Sequence, residues 1–257
     1  MKIEFIQNIP IAIFFVIITL VMLGFCQIGY KLGSCIYKAE DKEASSAIGP
    51  MVGGLLGMLG FVLAISFSMA SAQHENRKQD LLEEVNAIGT AYLRADLVAP
   101  QYQSEIKGLL RDYIAVRIEG TKPGAAEKAL EDSIKIHQGL WKHASSAAND
   151  KPTSNTSLMI QSVNHIIDVN EKRVASGLRN RLPTSVWVAL SSITALSMMA
   201  MGIQMGLSGK RRVIAVLPLI LAFAVLATLV IDLNRPQNGL ITVSQDSMLD
   251  LQRTTTK

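Results

Sequence analysis

The side chains able to carry chemistry are few, and their spacing does not suit it. The four histidines, His74, His137, His143 and His165, show no paired ligand spacing such as HxxxH, so no metal is expected. Glu83 and Glu84 are adjacent, and neighbours on a helix point roughly 100° apart. They therefore do not form a general acid–base pair. The two cysteines, Cys26 and Cys35, also lack metal-ligand spacing. Cys26 lies in an apolar run with Cys35 just beyond it, and two idle thiols are a simpler reading than a disulfide. GxSxG, P-loop and dinucleotide fingerprints are absent. Gly53 and Gly54 sit inside an apolar run, where they do not signal phosphate binding. No catalytic residues, no metal and no cofactor are expected, and the chain is not read as an enzyme.

Two polar arrangements remain. Asn86, Thr90 and Arg94 lie four apart, on one face of a helix. They suit either hydrogen bonding inside a bundle or the lining of a polar vestibule. Asp232 and Arg235 lie three apart where an apolar run ends, and are read as a membrane-edge pair that fixes helix depth. Glu75, Arg77, Lys78, Glu83 and Glu84 crowd one membrane exit as a solvated collar.

The element that must carry most of these residues is the stretch from Ala47 to Leu97. It has no charge between Ala47 and Gln73 and becomes charged from His74 onward. Pro50 falls near its start, where a helix tolerates it. As one helix it would run about 75 Å, far beyond a bilayer core of about 30 Å. Its apolar half carries a small-residue stripe, Gly49, Gly53, Gly57, Gly60, Ala64, Ser68 and Ser71. Such a stripe lets helix backbones approach closely, either within one subunit or around an oligomer axis. Beside it run Leu59, Leu63 and Phe67 at steps of four. This line is read as a core or lipid contact, or in a pore as an apolar constriction.

With 257 residues, 49% hydrophobic and only 18% charged, the chain fits an integral membrane protein with one modest soluble part. The net charge of +4 is spread out, and no basic cluster suggests nucleic acid. Four apolar runs qualify as spans: Ile9–Tyr30, Ala47–Ala72, Ser185–Leu207 and Val213–Leu233. The expected class is an all-α membrane protein with a helical-bundle domain inserted between the second and third spans. Residues 1–72 hold the first two spans, 73–184 the bundle, 185–233 the last two spans and 234–257 a tail. Four spans put both termini and the bundle on one side of the cell (inner) membrane. The short loops carry Lys31, Lys38, Lys42, Lys210, Arg211 and Arg212, against Lys2, Arg235, Arg253 and Lys257 at the termini. Those loop charges favour an external bundle.

Within the bundle, helical spacing places Ile106, Leu109, Leu110, Tyr113 and Ile114 on one helix after Pro100. GTKPG (120–124) then breaks the chain. A helix from Ala125 presents Leu130, Ile134 and Trp141. After NDKPT (149–153), a third helix starts at Thr153 or Ser154 and carries Met159, Ile160, Val163, Ile166, Ile167 and Val174. The first and last bundle helices are expected to continue the second and third spans. Leu240–Val243 in the tail suits a strip lying back along the bundle.

The stretches LGFVLAISFSMASAQHENRKQDLLEEVNAIGTAYLRADL (59–97) and IDLNRPQNGLITVSQ (231–245) resemble the hallmark and closing motifs of the prokaryotic bestrophin-like family, a domain of unknown function. The four-span layout matches over nearly the whole chain. More distantly the chain is similar to bestrophins, pentameric anion channels with four spans per subunit. That resemblance implies a homo-pentamer, a pore lined by the second helix, and an apolar neck at Leu59, Leu63 and Phe67. It also implies a cytoplasmic bundle, against the direction of the loop charges. The expected function is an oligomeric ion channel, for anions on this resemblance, in contact with lipid and a small ion. The alternative is a membrane-anchored scaffold or sensor whose bundle binds a partner or ligand without transport.

Overall fold

The computed structural model describes residues 10–36, 42–179, 181–208, 213–235 and 239–256. The charges Lys2, Lys38, Lys210, Arg211, Arg212 and Lys257, and Pro236 of the closing motif, lie outside these. The described chain is helical and without strands: α1 (Ile11–Ile36), α2 (Lys42–Arg94), α3 (Pro100–Glu119), α4 (Ala126–Asp150), α5 (Ser154–Val174), α6 (Thr184–Leu207), α7 (Val213–Leu233) and α8 (Asp246–Thr255). This is the all-α class expected. Four helical segments are long and apolar enough to cross a membrane: Ile11–Cys35, Ile48–Leu97, Thr184–Leu207 and Val216–Leu233. The chain divides into two compact units, Met1–Gln73 with Arg181–Ile241, and His74–Asn180 with Thr242–Lys257.

The first unit packs α1 against α6 through glycine. Between helices in lipid there is no hydrophobic drive, so close backbone approach must supply the attraction. A Cβ at Gly29 would run into the carbonyl of Met199, and one at Gly33 into that of Ile203. On the partner helix, a Cβ at Gly202 would meet the carbonyl of Cys26, and one at Gly206 would lie 2.6 Å from the Tyr30 oxygen. Around this seam Met22, Leu59, Leu63, Met198, Ile220 and Ala224 form a core. Ser197 Oγ donates to the Leu55 carbonyl at 3.2 Å and ties α6 to α2.

The second unit is a helical bundle whose core holds Ile88, Ile106, Leu110, Tyr113, Ile114, Leu140, Met159, Val163 and Ile166. Its helices start where sequence punctuation says they should. Pro100 stands at the first position of α3, where a missing N–H costs nothing. Thr153 caps α5 in a reciprocal capping box with Thr156.

Four features differ from the sequence reading. α2 begins at Lys42, so Pro50 lies inside the helix and not in its first turn. α5 does not run into the third span. It passes through a π turn at Ala175–Arg179, and α6 starts only after Pro183, which disfavours helix at the residue before it. α4 buries Ala129, Ser133, His137, Leu140, Ala144 and Ala147, leaving Ile134 and Trp141 exposed. Small residues win this face because they admit a close neighbour; a Cβ at Gly139 would already lie 3.1 Å from Leu109. Finally, the tail ends in a helix, α8, that adds Met248 to the bundle core. At ten residues it is too short and polar for its periodicity to stand out.

Candidate functional site

The apolar half of α2 has a buried face and an open face. Leu59 and Leu63 are 0% and 2% exposed, packed with the Met22, Met198 and Ile220 cluster. Phe67 is 39% exposed. The cause is helical drift: a step of four turns the line by about 40°, so it winds from core to surface. Of the line Leu59, Leu63 and Phe67, the first two are thus interior residues of the chain and the third stands open. The bulky side chains open to the outside on this half of α2 are Met51, Met58, Phe61, Ile65 and Phe67, with Phe61 at 67%.

The small stripe lies on this open face. Among the described residues, nothing outside the helix's own backbone comes within 4 Å of a Cβ at Gly53, Gly57 or Gly60. Ala64, Ser68 and Ser71 are exposed, and a Cβ at Gly49 would lie 3.2 Å from the Gln204 amide. The glycine seam within the first unit is the α1–α6 one, which the sequence reading missed. Its signal was present: Gly29 and Gly33, and Gly202 and Gly206, each stand four apart within apolar helices.

In the second unit, α2 carries a buried charge. Glu84 is fully buried, and Arg173 Nη1 donates to its Oε2. The Tyr113 hydroxyl donates to Oε1 at 2.6 Å and lies 3.2 Å from Asn170 Oδ1. Arg117 Nε stands 3.0 Å from Oε1 but is poorly aligned for a hydrogen bond, so charge alone holds that pair. Burial pushes the Glu84 carboxyl pKa up, but Arg117, Arg173 and the hydrogen bonds outweigh it, and the net direction is down. His137 packs on Tyr113 with ring centroids 4.9 Å apart. Burial, aided by Arg117, lowers its pKa to about 4.

Asn86, Thr90 and Arg94 form one wall of an open cleft of about 570 Å³, with Gln161, Ser162 and His165 of α5 opposite. Arg94 Nη1 donates to Ser162 Oγ at 2.8 Å and to the Leu158 carbonyl at 3.3 Å. The three expected residues therefore share one cleft, and the guanidinium is anchored by the opposite helix.

Asp232 is buried, and its two oxygens accept the backbone N–H groups of Leu240 and Ile241, both at 3.0 Å. A Cβ at Gly239 would lie 2.6 Å from Asp232 Oδ1, so only glycine lets the chain fold back here. Asn234 Oδ1 accepts from the Leu182 N–H at 3.0 Å. The Arg235 guanidinium lies 4.6 Å from the centre of the Phe14 ring, and burial lowers its pKa against the pull of Asp232. Asp232, Asn234 and Arg235 thus tie together Phe14 of α1, Leu182 ahead of α6 and the backbone at Leu240 and Ile241. Sequence reading gave the charge positions but not the backbone groups they serve. Among the described residues, no three His, Cys, Asp or Glu side chains converge as a metal would need.

The family model described as Bestrophin-like domain matches residues 13–248. No curated protein matches. A crystal structure of a bacterial bestrophin homologue from Klebsiella pneumoniae, carrying a point mutation, superposes with a TM-score of 0.59 at 13% identity, over 96% of this chain and 97% of that one. At that identity the likeness shows a shared fold. The family match spans both units, from α1 through the closing segment to α8, and the chain belongs to the bestrophin-like family.

Proposed function

We propose that the chain is one subunit of a homo-oligomeric membrane ion channel whose path is lined by α2. The observation that carries this reading is the open face of α2. Among the described residues, a Cβ at Gly53, Gly57 or Gly60 would meet nothing, while Phe61, Ile65 and Phe67 stand exposed beside them. Glycine exposed along a membrane helix is wasted on lipid and useful against another backbone. The apolar side chains on the same face suit a constriction that gates by dewetting. Arg94 supplies positive potential to a polar vestibule with Asn86 and Thr90, which favours anions. A pentamer is the assembly that the resemblance implies. The test is purified protein in planar bilayers, with subunit number read by crosslinking in native membranes. A homo-oligomer that conducts, with larger currents in Phe61→Ala and Phe67→Ala, supports the reading. A monomer without current in either form removes it.

A second reading, a scaffold or sensor without transport, is favoured by the cleft of the second unit and by the exposed Ile134 and Trp141 on α4. Recovery of the native chain as a monomer bound to another protein would support it.

A further inference from the structure

We infer that the cleft between α2 and α5 is a binding site for a small organic carboxylate. Its volume of about 570 Å³ falls within the range of roughly 300–1,000 Å³ usual for small-molecule sites. The polar groups around it are uncommitted. Among the described residues, no hydrogen bond within the protein engages the side chains of Gln79, Asn86, Thr90, Gln161 or His165, and no carboxylate pairs with Arg94. Among the described lining residues the one acid, Glu83, is answered by Lys172 at 2.6 Å.

Arg94 sets the ligand class. One nitrogen, Nη1, is held by Ser162 and the Leu158 carbonyl, which fixes the plane of the guanidinium. Its Nε and Nη2 edge remains, and two parallel N–H donors on one edge match the two oxygens of a carboxylate. A phosphate dianion would call for a second cation, and among the described residues the lining has none beyond Arg94 apart from the imidazole of His165. Leu82 and Ala87 add apolar surface for an organic body, which a bare inorganic ion would leave unused. Thr90 and the carboxamides of Asn86 and Gln161 stand ready for hydroxyl or amino substituents. This rests on the assignment of Asn86, Thr90 and Arg94 to a ligand-facing wall and does not require that the chain conduct.

The experiment is calorimetric titration of the full chain in detergent, at fixed ionic strength in chloride, with acetate, benzoate and inorganic phosphate as probes. Saturable binding of benzoate or acetate is expected, weakened tenfold or more in Arg94→Gln. Because that variant also loosens α2 from α5, Asn86→Ala and Thr90→Val serve beside it. Neither of those removes a bond made within the protein, and each should weaken binding severalfold. Absence of saturable carboxylate binding, or binding unchanged in all three variants, overturns the site. Phosphate binding tighter than either carboxylate overturns the ligand class. Bilayer recordings on the same preparations separate the two readings. Binding without current leaves the site and removes the channel, while current without binding does the reverse.

Discussion

The backbone of Gly206 lies against that of Tyr30 so closely that an added Cβ would stand 2.6 Å from the Tyr30 carbonyl oxygen and 2.6 Å from the Ser34 nitrogen. No side-chain rearrangement can relieve contact with backbone. Gly206→Ala and Gly202→Ala should therefore each destabilise the membrane unit by about 1–3 kcal/mol. Thermal melts in detergent should show this, while Gly57→Ala, with open space at its Cβ, stays close to wild type.

That contrast makes a second prediction. Gly57→Leu should leave the chain folded, because a Cβ at this position meets open space among the described residues. If the open face of α2 meets other copies, the same change should shift the complex toward smaller species on light scattering after size exclusion. An unchanged oligomer would separate the small stripe from assembly.

Among the described residues, Glu84 is the one carboxylate that pairs with Arg117 and Arg173 at the centre of the bundle. Glu84→Gln strands two partly buried guanidinium groups, and removing one partner of a buried pair costs about 3–5 kcal/mol. Denaturant melts followed by circular dichroism should record that loss. Glu83→Gln, at a half-exposed ion pair with Lys172, should cost no more than about 1 kcal/mol.

The bundle should also lose stability in mild acid. His137 is held neutral with its pKa lowered from 6.5 to about 4 by burial and Arg117, with Glu84 opposing. The unfolded chain then binds a proton before the folded one does. The stabilisation is whole above pH 6.5 and is lost as pH falls from 6.5 toward 4, amounting to about 2–3 kcal/mol after discount for solvent contact. Melting temperature against pH should slope in that window and flatten in His137→Gln. The Glu84 contribution, with a lowered carboxyl pKa, is lost only at lower pH, below the ordinary value of 4.5.

The boundaries of this fold are legible because they rest on local chemistry. Pro100, GTKPG and Thr153 each act on their own few residues, and the structure places helix ends there. Which face of a helix is buried was less legible. Leu59 and Leu63 were assigned by type and spacing, yet their burial depends on where α1, α6 and α7 stand. On α4 the choice of alanine and serine over Ile134 and Trp141 is made by the closeness of α3, a distance that no single helix encodes. Asp232 shows the same limit. Its spacing to Arg235 could be read, but its hydrogen bonds to Leu240 and Ile241 need a fold-back that glycine permits and tertiary packing selects.

The bundle takes its residues from two stretches, His74–Asn180 and Thr242–Lys257, and α8 brings Met248 into its core and the Thr255 carbonyl to the Tyr92 hydroxyl at 3.0 Å. During synthesis this unit cannot finish when α5 leaves the ribosome. It must wait, with part of its apolar surface uncovered, until α6 and α7 have been made and handed to the bilayer. Biogenesis therefore links the maturity of the bundle to completed membrane insertion. Nascent chains arrested before α8 emerges should remain protease-sensitive in the bundle, and those arrested beyond it should be protected.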